Sequence, residues 1–146
     1  MQRANAWKQS GRISLWRYTE NERNFPGWHL NGDADGCKSL LALLDALAAD
    51  GEGSRTVALI APTKAQLSVP NNKAGLAAWK APSKLRITFS PTSREWRFPA
   101  NLDPAELTVG ADWLQPLRDG ISGIPAGRGD YAVGDRITGL SLWFWW

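Results

Sequence analysis

Leu140-Ser141-Leu142-Trp143-Phe144-Trp145-Trp146 is the stretch that sets the architecture of this chain. Read with the two-residue period of a strand, it turns Leu140, Leu142, Phe144 and Trp146 to one side and Trp143 and Trp145 to the other. Both sides are large and apolar, and a strand of that kind is covered on both faces. The wider composition agrees: nine tryptophans stand against four phenylalanines and two tyrosines in 146 residues. Each indole buries about 150–250 Å² but carries an N–H that needs an acceptor, which suits core margins and binding platforms.

Working outward, Ile13 to Tyr18 reads as another strand, with Ile13 and Leu15 on one face and Trp16 and Tyr18 on the other. A polar turn and Phe25-Pro26-Gly27 lead to a short extended piece, Trp28 to Leu30. Cys37, Leu40, Leu41, Leu44, Leu47 and Ala48 then recur at helical spacing, with Asp33 or Asp35 as the cap and Gly51 as the stop. Thr56 to Ala61 reads as a buried strand ended by Pro62, and Ala74 to Trp79 as a short turn of helix in an otherwise irregular 62–83 connection. Lys84–Ser90 and Arg94–Phe98 form a hairpin pattern across Pro91-Thr92-Ser93. Leu85, Ile87, Phe89, Trp96 and Phe98 fall on its inner side, and Lys84, Arg86, Thr88, Glu95 and Arg97 on its outer side.

Leu107 to Val109 is a further short strand, and Asp112 is placed to cap a helix from Trp113 to about Ser122, with Pro116 in its first turn. Gly120 to Gly134 reads as loop, and Arg136 to Trp146 as the closing strand. The expectation is an α+β fold: a mostly antiparallel or mixed sheet of about five to six strands with two helices on one face. A polar tail, 1–12, precedes a single globular domain, 13–146.

A chain of 146 residues buries about two-thirds of its unfolded surface and needs no metal or disulfide staple. The lone Cys37 excludes an internal disulfide, the first residues lack an apolar signal stretch, and no run reaches the roughly 20 apolar residues of a membrane span. A cytoplasmic protein without membrane contact is expected; its oligomeric state stays open. Net charge is +3 overall but uneven: +3 over 1–28, −3 over 29–60, +6 over 61–100 and −3 over 101–146. The positive block attracts an anionic partner.

Gly32-Asp33-Ala34-Asp35-Gly36-Cys37-Lys38-Ser39 resembles a phosphate-binding P-loop at its first glycine, lysine and serine. Cys37 replaces the second glycine, and Asp33 and Asp35 repel an anion. Asn31, Asp33, Asp35 and Gly36 match early positions of an EF-hand loop, but Ala42 stands where its last carboxylate belongs. The same Asp-x-Asp-Gly is similar to an element of DHH-type phosphoesterases, a family that also needs a histidine-bearing metal motif farther along; His29 is the sole histidine. Helix capping accounts for both aspartates. Cys37 falls on the apolar helix face, so a Cys37–His29 nucleophile pair is disfavoured, and neither a metal nor another cofactor is expected.

The leading expectation is a small interaction module, not an enzyme. It binds through Asn71, Asn72, Lys73, Trp79 and Lys80 of the long connection and Lys84, Arg86 and Arg97 of the basic hairpin. A protein partner is favoured, with nucleic acid or carbohydrate as alternatives. The rival expectation is a small-ligand protein or enzyme with a pocket between Asn31–Ser39 and Gly127–Asp135, lined by His29, Asp33, Asp35, Lys38, Arg128, Asp130 and Tyr131.

Overall fold

The computed structural model describes residues 4–19, 27–67, 78–127, 131–134 and 140–145. Among these residues nine strands form two sheets. β1 (Ile13–Tyr18), β2 (Trp28–Gly32), β4 (Trp79–Lys80), β8 (Tyr131–Val133) and β9 (Leu142–Phe144) make sheet 1 in the order β4-β1-β2-β9-β8. β3 (Gly53–Ala58), β5 (Lys84–Phe89), β6 (Trp96–Arg97) and β7 (Ala105–Val109) make sheet 2 in the order β3-β5-β7-β6. The described helices are α1 (Ala34–Asp50), α2 (Lys64–Leu67) and α3 (Leu114–Gly123), with 3-10 turns at Ala4–Ala6 and Ala111–Trp113. The α+β class is as read from sequence, but the strands divide between two mixed sheets.

β9 is interior, parallel to β2 on one side and antiparallel to β8 on the other. Its alternation behaves as expected. Leu142 and Phe144 enter the main core with Ile13, Leu15, Trp28 and Leu30, whereas Trp145 joins Trp16, Tyr18 and Leu67 on the opposite face, with Trp143 packed against them. α1 and α3 pack on each other, α1 reaching β2, β3 and β5 and α3 reaching β8 and β9. Leu40, Leu44, Leu117 and Ile121 of the helices thus meet Leu15, Leu30 and Leu142 of sheet 1 and Leu85, Ile87 and Leu107 of sheet 2 around a void of only about 20 Å³. Burying each such side chain contributes about 1.5–3 kcal/mol.

α1 is specified at both ends. The Asp33 carboxylate accepts from Gly36 N–H at 2.7 Å, and Gly51, at φ 85°, donates to the carbonyls of Leu47 and Ala48. The amino-terminal segment packs on this helix: Ala4 and Trp7 are buried, and the Trp7 indole donates to Ser39 O at 2.9 Å.

Several local expectations are corrected. β5 and β6 are not a hairpin, because β7 lies between them, parallel to β5 and antiparallel to β6. β3 begins at Gly53 and is an edge strand in which Val57 is buried and the others are exposed or half-buried, not a buried strand over Thr56–Ala61. Asp112 lies within the 3-10 turn, and α3 starts at Leu114 with no side-chain cap. Gly120 and Gly123 are helical, and Tyr131–Val133 is a strand, so 120–134 is not one loop. Trp79 begins β4; the rest of the turn of helix expected over Ala74–Trp79 lies outside the described residues, save Ala78, as do 135–139 and Trp146 of the closing strand. The two expected helices share the interior with both sheets, while the additional short α2 covers the other face of sheet 1 through Leu67.

Candidate functional site

Sheet 2 turns Leu85, Ile87, Phe89, Leu107 and Val109 inward, so period 2 sends their neighbours outward. The outer face carries Ser54, Thr56 and Ala58 from β3, Lys84, Arg86 and Thr88 from β5, Glu106 and Thr108 from β7, and Arg97 from β6. Thr56, Ala58, Lys84, Arg86, Glu106 and Arg97 are exposed. Register places Arg86 between Thr56 and Glu106, while Ser54 and Thr88 share a hydroxyl–hydroxyl bond of 2.7 Å. Among the described residues the Arg86 side chain has no hydrogen bond or ion pair, its main chain being paired within the sheet. An open groove of about 390 Å³, lined by Ser54, Arg55, Thr56 and Arg86, runs along this margin.

Three of the expected partner-face residues, Lys84, Arg86 and Arg97, therefore share one surface. Trp79 and Lys80 sit in sheet 1, where they pair with Tyr18 and Arg17; the Trp79 ring remains 37% exposed. Ala81 to Ser83 carries the chain from one sheet to the other, and Leu59 N–H bonds Ser83 O at the crossing. Asp103 anchors the same point, accepting from the Ser83 main chain at 2.6 Å and hydroxyl at 2.8 Å. Those bonds hold its carboxyl below the usual carboxylate value, with Lys84 adding a smaller pull the same way. Asn71, Asn72 and Lys73 lie outside the described residues.

The residues of the rival pocket are placed differently. His29 is buried on the face of sheet 1 opposite α1, stacked between Trp16 (5.8 Å) and Trp145 (6.0 Å), with Tyr18 edge-on at 4.9 Å. Its Nδ1 accepts from the Trp145 indole at 2.8 Å, and Trp143 extends the stack beyond Trp145. Asn31, on the same face, donates to Trp145 O and accepts from Gln66. Asp33 lies at the other end of the matter: its carboxylate takes the main-chain N–H groups of Arg12 and Gly36, and these lower its pKa. The Gly11–Arg12 backbone lies so close over the helix start that a Cβ on Gly36 would fall 2.2 Å from Arg12 O. The first turn of α1 is thereby occupied by the chain's own main chain. Asp35 and Lys38 are exposed; Arg128 and Asp130 lie outside the described residues, and Tyr131 is described only through its main-chain pairing with Phe144.

Cys37 is buried, its thiol facing Gly32 O at 3.6 Å, and burial, followed by the charge of Asp33, pushes its pKa up to about 11. Such a thiol stays protonated near neutrality and is a poor nucleophile. Among the described residues no group of three His, Cys, Asp or Glu side chains could hold a metal ion, and no helix is long and apolar enough to cross a membrane.

Sequence reasoning missed Ser54, Arg55 and the groove, because the strand was expected to begin only at Thr56 and to be buried. The alternation Ser54, Thr56, Ala58 of small side chains is the signal that marks a solvated edge. No protein-family model, curated protein or solved structure matches this chain.

Proposed function

We propose that this chain is an interaction module whose basic sheet face engages an acidic protein partner. The observation that carries the reading is Arg86: an exposed guanidinium with no internal counter-charge bond among the described residues, beside an open groove. Lys84 and Arg97 extend the positive surface on the same face, where Glu106 lies beside Arg86 and the Asp103 carboxylate stands near Lys84. A guanidinium flanked by hydroxyls presents forked donors that suit a carboxylate. Bases stack on exposed rings, and among the described residues this face offers none: Trp96 is buried, and Trp79 belongs to the other sheet. That favours a protein over a nucleic acid. The buried thiol fits a reducing compartment, and a cytoplasmic setting is part of the reading.

Fluorescence anisotropy with a labelled oligoglutamate peptide tests it, with oligothymidylate as competitor. Arg86→Glu combined with Arg97→Glu should weaken peptide binding at least about tenfold while leaving the circular dichroism and melting temperature unchanged. Binding should also weaken as salt is added. Equal binding by the double variant, or tighter binding of oligothymidylate than of peptide, refutes the proposal.

A further inference from the structure

β3 is an edge strand, with β5 on one side and, among the described residues, no strand on the other. The hydrogen-bond pattern decides which of its main-chain groups face outward. Leu59 N–H bonds Ser83 O, and the pairs Val57–Leu85 and Arg55–Ile87 continue the same ladder toward β5. In an antiparallel pair the alternate residues turn both their groups the other way. Ser54, Thr56 and Ala58 therefore direct N–H and C=O away from the sheet. Ala58 is already served: the Gln9 carboxamide donates to its carbonyl at 2.7 Å and accepts from its N–H at 2.8 Å. One primary amide thus takes the place of a neighbouring strand residue. At Ser54 and Thr56 no described residue does so, and the groove beside Arg86 opens at that point.

We propose that an extended segment of the acidic partner adds to this edge as a further strand, its main chain bonded to Ser54 and Thr56 and a glutamate side chain meeting Arg86. The proposal rests on the acidic-partner reading and adds to it the mode of binding and the partner's pattern. Strands lie about 4.8 Å apart, so an added strand runs roughly 10 Å from the backbone of β5, a gap that an arginine and a glutamate span together. Carboxylates on alternate residues share the face that carries Arg86. A second copy of the chain pairing edge to edge would instead bring two Arg86 rows onto one face, where like charges repel.

The test uses the full chain and a short capped peptide alternating threonine and glutamate. Two further versions are N-methylated, one on every glutamate amide and one on every threonine amide. All three carry the same charge, but only one alternate set of amides can face β3. Strand addition predicts that one methylated peptide binds at least about tenfold more weakly than the parent while the other stays within about threefold, since two or more main-chain bonds are lost in one case only. Arg86→Glu should abolish binding of the parent. Amide exchange at Thr56 should slow at least about tenfold at saturation. If both methylated peptides bind like the parent and Arg86→Glu still abolishes binding, strand addition is overturned and the acidic-partner reading stands. If the parent does not bind, both fall. Protection of Thr56 through self-association, without peptide, overturns the assignment of the occupant.

Discussion

Gly120→Ala tests the packing at the centre of the fold, because it reverses the sign expected of a helical glycine. In an exposed helix the change gains about 0.8–1 kcal/mol from backbone entropy. Here a Cβ on Gly120 would stand 2.4 Å from Cε2 of Phe144, whose ring is fully buried in the middle of sheet 1. Carbon atoms settle at about 3.5–4.0 Å, so ring and helix must separate by roughly 1 Å. Neither has free space, since α3 packs on β9 and on α1. Overpacking of this kind costs about 3 kcal/mol or somewhat more, which leaves a net loss of about 2 kcal/mol after the propensity gain. With an unfolding entropy of about 0.3 kcal/mol per kelvin for 146 residues, the melting temperature should fall by about 6 °C. Urea unfolding followed by tryptophan fluorescence measures the first quantity, and thermal unfolding followed by circular dichroism the second. Phe144→Leu withdraws the edge of the ring, so the double variant should be more stable than additivity predicts by at least about 1 kcal/mol. An unchanged or raised midpoint for Gly120→Ala, or strict additivity with Phe144→Leu, refutes the close approach of α3 and β9.

Two further outcomes follow from the titrating groups. Asp33 and Asp103 have folded pKa values below the ordinary aspartate value of about 3.9, so the stability they contribute is complete above that pH and is lost as pH falls through the lower folded values. Acid titration of the melting temperature should show this loss below about pH 4, and Asp33→Asn, which keeps a capping oxygen, should flatten part of it; an identical acid limb in wild type and variant counts against the Asp33 bonds. Cys37, with a pKa raised to about 11 by burial, should react with a disulfide reagent at pH 8 at least about a hundredfold more slowly in the native chain than in urea, and comparable rates would show the thiol to be accessible.

What could be read from the sequence divides along the range of the signals. α1 was legible because its cap at Asp33, its stop at Gly51 and its apolar spacing are all local. The two-sided patterns of β1 and β9 were legible for the same reason. Partner choice between strands has no local signature: Lys84–Phe89 and Trp96–Arg97 look like hairpin arms, and only the arrival of Ala105–Val109 between them decides otherwise. Gly120 and Gly123 read as breakers, but a glycine in a helix also permits close packing, and Phe144 lies too far along the chain to be foreseen as the neighbour. For the site, period 2 turned Lys84, Arg86 and Arg97 outward on their own strands, but it is β7, lying between β5 and β6, that puts them on one surface. The open edge was not legible, because it depends on strand pairing that leaves β3 at the end of sheet 2, and its limit at Ala58 on Gln9 reaching across 49 residues of separation.

The position of β9 has a consequence for how the chain is made. It completes the flank of β2, and Asn31 bonds the carbonyl of Trp145 across 114 residues of separation. At translation rates of about 5–20 residues per second, β2 waits roughly 6–20 s for its neighbour. Throughout that interval an indole- and leucine-bearing margin stands open, and adjacent nascent chains can pair with it. Dense polysome loading should therefore favour aggregation, and a chaperone that shelters β1 and β2 until Trp143 emerges should raise the yield of folded protein.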